Sequence, residues 1–331
     1  MDKKLNVAVI GAGYWGQKII REYISAANER NDICLRKIFD SDKTKFSGII
    51  SENRIPENIL ANSYDEILQD REINAVHIAV PNGLHYRVAK KAIDADKHVV
   101  LEKPMAVSSR DAFRLAREAE KKNKVLLVDH IFRFNNALNL VKKMLENKEY
   151  GKILYLTLKW SAYIPPPENR DIIFDLAPHP VDIVNFLTEE WPISVYTEAK
   201  SYIRNKKGYE EMAFIIMELP GNITVNIELS WLDRGKKTRV VNIITEKASF
   251  NIDTLNQTLQ IYNDIGKNSV AVEPNNTIKD MIFHFADRVI SDTPPLNSAT
   301  VGAMTVMVLE KMRVSLDQKL PMNILQGENN G

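Results

Sequence analysis

The chain contains a single cysteine, Cys34, among 331 residues. One thiol excludes an intramolecular disulfide, and without a CxxC pair or a His/Cys cluster no structural zinc site is expected, which fits a reducing compartment. Cys34 lies between Ile33 and Leu35 in a strand-like run and reads as a small buried hydrophobe. Charge of one sign is also missing: 44 Lys and Arg against 43 Asp and Glu leave a formal charge of +1. That removes the electrostatic footprint of a nucleic-acid binder or of a protein held on an anionic membrane, so the expected partner is a small molecule. No run approaches the roughly 18 apolar residues a membrane helix needs. The apolar stretch after MDKK is too short for a secretory leader, so a cytoplasmic location is expected. The six histidines, His77, His85, His98, His130, His179 and His284, are scattered with no pair one helical turn apart, and no metal is expected. Repeats and low-complexity segments are lacking too, apart from the stiff run Pro165, Pro166 and Pro167.

What is present has a regular rhythm. Up to about residue 128, short apolar runs (LNVAVI, ICLRKIF, AVHIAV, HVVL, VLLV) alternate with amphipathic stretches at helical spacing. Continuous apolar strands separated by helices indicate a parallel, doubly wound sheet covered on both faces. Ser63 with Glu66, and Ser108 with Asp111, have the form of helix-start caps. Past Asp129 the texture changes to alternating strands such as ITVNIEL, in which Ile223, Val225, Ile227 and Leu229 share a face, joined by short polar turns. These strands predict a large, mostly antiparallel open sheet. The expected fold is α/β, with a doubly wound domain over 1–128 and an α+β domain over 129–331. The stripe Val301, Met304, Met307, Val308 and Met312 in a closing helix reads as packing.

VAVIGAGYWG sets Gly11, Gly13 and Gly16, with Tyr14 and Trp15 between them, after the first strand and before a helix. Gly11 permits the tight turn, Gly13 lets backbone approach a pyrophosphate, and Gly16 lets helix pack on strand, the Rossmann dinucleotide fingerprint. Asp40 ends the second strand, where a carboxylate accepts from a ribose diol and repels a 2′-phosphate, so NAD is expected over NADP, with Lys43 and Lys45 nearby.

HVVLEKP ends an apolar strand with Glu102, Lys103 and Pro104 at the edge where such sheets bind ligands. The residues alone allow either a surface Glu–Lys pair or an ammonium presented to substrate and cofactor ribose. Farther along, spacings of four and three put Asp175, His179 and Asp182 on one face if FDLAPHPVDIV is helical. A histidine among carboxylates is held in one orientation and biased toward general-base work. Arg133, just past the last strand of the first domain, suits either a clamp on a phosphate or carboxylate or an interdomain salt bridge.

GAGYWG together with PNGLHYRVAKKAIDADKHVVLEKP resembles the Gfo/Idh/MocA family of sugar and cyclitol dehydrogenases, over nearly the whole chain. The resemblance implies an enzyme in which Pro81, Asn82 and His85 border the nicotinamide ribose and its helix. Glu102 and Lys103 then lie at cofactor and substrate, and Asp175 and His179 form the second-domain motif. It also implies that the lysine and histidine contact the hydroxyl being oxidised. Pro178 and Pro180 depart from the glycines common in that motif and place the helix start near Ala177, with Asp175 just before it or in a kinked turn. IFRFN, FDLAPH and SWLDRGKKTR look similar to a branch that oxidises UDP-sugars. A free sugar or cyclitol is the alternative substrate, and a non-enzymatic dinucleotide sensor is the alternative class. A half-exposed antiparallel sheet with one apolar face implies a homodimer or homotetramer through that sheet.

Overall fold

The computed structural model describes residues 4–46, 56–167 and 170–324. It divides into two compact units, one holding the chain up to Ile131 together with Asn276–Val306, the other holding Phe132–Asn275 and the chain from Met307 onward. In the first unit, strands β1 (Leu5–Ile10), β2 (Ile33–Phe39), β3 (Ala75–Ile78), β4 (His98–Leu101) and β5 (Leu126–Val128) form one sheet in the order β2-β1-β3-β4-β5. Every pairing is parallel. Helices α1 (Tyr14–Glu29), α2 (Tyr64–Gln69), α3 (His85–Asp94) and α4 (Ser109–Lys121) are the crossovers. β3 and β4 are almost wholly buried, as strands covered on both faces must be. The strand order reverses direction between β1 and β3, which makes their carboxyl ends the crevice for a ligand.

Helix starts follow the sequence signals: Ser63 accepts from the Glu66 amide and Ser108 from the Asp111 amide. Helix α1 is different. Its N-cap is Gly13, no side chain caps it, and its first turn holds no acid, so its leading amides are left for an anion.

The second unit is built on a nine-stranded sheet: β6 (Ile153–Ser161), β7 (Ser194–Lys200), β8 (Met212–Leu219), β9 (Ile223–Ser230), β10 (Thr238–Thr245), β11 (Ser249–Asp253), β12 (Thr258–Asn263), β13 (Gly266–Val270) and β14 (Met322–Asn323). Their order is β13-β12-β11-β10-β6-β9-β8-β7-β14, and only β6 with β9 runs parallel. Val225, Ile227 and Leu229 turn into the core while Thr224 and Asn226 face out, as the alternation requires. Helices α5 (Asn136–Glu146), α6 (Ile172–Leu176) and α7 (Pro178–Thr188) pack on the buried face through Leu138, Val141, Ile173 and Val184. The other face stays open, with Tyr155, Phe214 and Ile216 exposed.

The carboxyl-terminal helices depart from a simple two-block reading. Helix α8 (Thr277–Ser291) and the first residues of α9 (Ala299–Gln318) belong to the first unit. Asp287 pairs with Arg30 at 2.7 Å, Lys279 with Glu29 at 2.6 Å, and Gly302 lies so close to Val128 that a Cβ there would stand 2.4 Å from it. An amphipathic pattern says that a helix covers a core without saying which one. Cys34 is half-buried on β2. No helix among the described residues is long and apolar enough to cross a membrane.

Candidate active site

In the first unit the glycines have separate geometric reasons. Gly11 adopts φ +102°, and a Cβ there would meet the Ala79 carbonyl at 2.3 Å. A Cβ on Gly16 would lie 2.0 Å from the Gly11 carbonyl, so helix and turn could not close. At Gly13 nothing stands within 4 Å, and the space beside the backbone is open. An open approach at the uncapped start of α1 fits a pyrophosphate. Trp15 is half-buried and Tyr14 is exposed, with Lys18 over both rings.

Asp40 braces this turn. One carboxylate oxygen accepts from the Ala12 amide at 2.7 Å, the other from the Asp42 amide at 2.8 Å, and Lys45 stands 3.1 Å away. Burial pushes its carboxyl up, but these donors outweigh burial and hold it below the ordinary carboxylate range. An ionised acid at this strand end fits an adenosine ribose diol.

Pro81 and Asn82 follow β3, and Asn82 opens a single 3-10 turn, Asn82–Leu84. His85 starts α3 fully buried, its ring nitrogens 2.7 Å from the Pro104 carbonyl and 2.8 Å from that of Val80. It therefore brackets the loops after β3 and β4 through their backbones. The Lys103–Pro104 bond that follows β4 is cis, and Lys103 is half-buried. The Glu102 amide extends the ladder to Ile78, while its side chain turns inward to Asp129 and His77. Burial first, then the Asp129 charge, raises the Glu102 carboxyl well above the ordinary range.

In the second unit, Asp171 caps α6 through the amides of Ile173 and Phe174, and the helix breaks at Ala177 before Pro178 opens α7. Prolines suit a first helical turn because the amides they lack have no acceptor there. The break puts Asp175 in α6 and His179 in the first turn of α7. Asp175 pairs with Arg170 at 3.1 Å, and the His179 ring meets Phe132 edge-on at 5.1 Å. Asp182 takes a separate course: its carboxylate lies 2.7 Å from Arg133 Nε, both groups buried, and Arg133 also donates to Asn185 at 2.6 Å. Arg133 is thus held in a buried ion pair within the second unit.

Three residues passed over by the sequence reading belong to this account. Arg239 follows the apolar parity of β10, opposite Trp160 on β6, with its guanidinium 5.8 Å from the indole. Burial lowers its pKa to about 10 against the charge of Asp175. A cation on the apolar parity of a strand was the available signal. His77 and Asp129 join Glu102 in one buried cluster, although no histidine pair with metal-ligand spacing exists in the sequence. The three converge from the ends of neighbouring parallel strands, and only the strand register reveals it.

A strand, an open glycine turn, an uncapped helix and an ionised acid at the next strand end define a dinucleotide-binding domain. Residues 5–130 match the model of an oxidoreductase family with an NAD-binding Rossmann fold, and residues 138–251 match the GFO/IDH/MocA C-terminal domain. The chain belongs to the Gfo/Idh/MocA family of oxidoreductases, and its cofactor is NAD. It is similar to UDP-N-acetylglucosamine 3-dehydrogenase of Acidithiobacillus ferrooxidans, at 24% identity over 95% of this chain and 97% of that one. A solved structure of that enzyme superposes with a TM-score of 0.82 at 25% identity, covering 95% and 98% of the two chains. Inositol 2-dehydrogenase of an Arthrobacter species is 26% identical over 69% of this chain and 68% of that one. Aldose-aldose oxidoreductase of Caulobacter crescentus, at 18% identity, 97% and 99% coverage and a TM-score of 0.87, shares the fold.

Proposed function

We propose that this oxidoreductase interconverts a secondary hydroxyl and a ketone on a UDP-sugar. The observation that carries the reading is the match to UDP-N-acetylglucosamine 3-dehydrogenase across 95% of the chain. When bound, NAD supplies the hydride acceptor. In the oxidative direction His179 accepts the hydroxyl proton as the C–H bond breaks and hands it to solvent afterwards, so alcohol becomes ketone with one hydride and one proton removed. The Lys103 ammonium hydrogen-bonds the same oxygen and stabilises its developing negative charge. Asp175 orients His179 and, with Arg170 and Arg239 around it, keeps the surrounding polar groups fixed. Gly11, Gly13, Trp15, Gly16, Asp40, Pro81 and Asn82 hold the cofactor, and Tyr14 flanks it. His85 positions the loop that carries Lys103.

A cyclitol or free sugar is the second reading, supported by the inositol 2-dehydrogenase match. Absorbance of reduced nicotinamide separates the two. Turnover with UDP-N-acetylhexosamines and none with inositols or free aldoses supports the first reading, and the reverse pattern replaces it. We place the enzyme in the cytoplasm, on the strength of its lone cysteine. The open sheet face with Tyr155, Phe214 and Ile216 serves as the surface of a homodimer or homotetramer. Light scattering that finds a monomer at every concentration would remove that assembly.

A further inference from the structure

We propose that His77, Glu102 and Asp129 form a binding site for one divalent first-row metal ion. Each offers a ligand atom, and these atoms lie within 4.8 Å of one another. All three side chains are more than nine-tenths buried. His77 Nε2, Glu102 Oε1 and Asp129 Oδ1 receive no hydrogen bond from any protein donor.

Strand register makes the convergence. His77 of β3 sits opposite Val100 of β4, which sits opposite Leu127 of β5. Glu102 and Asp129 lie two residues beyond those partners, so all three side chains leave the same face of the sheet near its carboxyl edge.

The remaining polar atoms are already arranged as they are around bound metals. His77 Nδ1 lies 3.2 Å from the Tyr23 hydroxyl, and donating to it leaves the Nε2 lone pair aimed into the cluster. Asp129 Oδ2 accepts from the Trp15 indole at 3.4 Å, which leaves Oδ1 for the ion.

Charge decides between the two ways such a cluster can be neutralised. One proton shared by the carboxylates leaves a buried negative charge, which is unfavourable in a low-dielectric interior. A divalent cation with two carboxylates and a neutral imidazole leaves none. One nitrogen and two oxygen ligands suit zinc or manganese better than magnesium, with water completing the shell. The ion would tie the ends of three strands to the glycine turn through Trp15.

The test uses the full chain, stripped with a chelator and titrated separately with zinc, manganese and magnesium chloride. Calorimetry and elemental analysis after desalting give the stoichiometry, and thermal melts give the stabilisation. The expected result is one zinc or manganese ion per chain, a melting point raised by the ion, and affinity weakened about tenfold or more in both His77→Gln and Asp129→Asn. Asp129→Asn keeps an acceptor for Trp15, so the measurement stands even if His77→Gln does not fold. Failure of the stripped chain to take up any of the three ions, or uptake by both variants equal to wild type, would overturn the site. The first of those results would leave a shared proton as the neutralising group.

Discussion

His85 Nδ1 lies 2.7 Å from the carbonyl oxygen of Pro104 across a sequence separation of 19 residues, which ties the start of helix α3 to the loop that carries Lys103. The same ring reaches the Val80 carbonyl, so one buried side chain sets two loops at the ligand edge of the sheet. Replacing His85 with Ala removes both contacts and leaves the carbonyl that accepts from the ring N–H to find a new partner. The expected loss is about 1–3 kcal/mol of stability, with weaker NAD binding and a lower kcat. Thermal melts with and without NAD check this. Unchanged cofactor-induced stabilisation in the variant would show that the bracket does not serve the site.

The three glycines should fail in different ways. Gly16→Ala sets a Cβ against the Gly11 carbonyl and should lower the melting point of the free protein. Gly13→Val enters open space, so the free protein should melt near wild type while NAD affinity falls at least tenfold, about 1.4 kcal/mol. Differential scanning fluorimetry paired with NAD titration distinguishes the two.

The ion pair of Arg133 and Asp182 should behave as structure and not as substrate recognition. Asp182→Ala removes the carboxylate paired with a buried guanidinium and should cost roughly 3–5 kcal/mol in denaturant unfolding. Arg133→Met combined with Asp182→Leu should recover much of that loss. A double variant as unstable as Asp182→Ala would contradict this reading.

Acid should loosen the segment before His179 through Glu211. This fully buried carboxylate accepts from the amides of Tyr202, Ile203 and Arg204, each at 2.8 Å, and pairs with the Arg204 guanidinium. Arg204 in turn donates to the carbonyls of Pro167 and Arg170, which hold the approach to Asp175. Burial raises the Glu211 carboxyl, but those donors prevail and set it below its ordinary 4.5. Because the folded value is lower than the unfolded one, the stabilisation is complete above pH 4.5 and is lost as pH falls through the folded value. Glu211→Gln should be less stable than wild type by about 2 kcal/mol at neutral pH, with the gap closing in acid. Urea melts across pH read this directly.

Much of this architecture was legible because its signals are local. GAGYWG, the caps at Ser63 and Ser108 and the alternation in ITVNIEL each depend on residues within one element, and each appears where the pattern puts it. The proline-opened helix at His179 was legible for the same reason. What escaped was set by pairing between distant elements. Arg133 could not be assigned without knowing that Asp182 would face it, nor could α8 be given to the first unit without Arg30 and Glu29. His77 and Asp129 meet Glu102 only through the β3-β4-β5 register, which no spacing in the sequence encodes.

The roles of Lys103 and His179 are decided by steady-state turnover of Lys103→Ala and His179→Ala, with NAD binding measured on the same preparations. Both variants should bind NAD while kcat falls roughly a hundredfold to ten-thousandfold, the range of general acid–base catalysis. Wild-type turnover in both variants with NAD binding intact would contradict those roles.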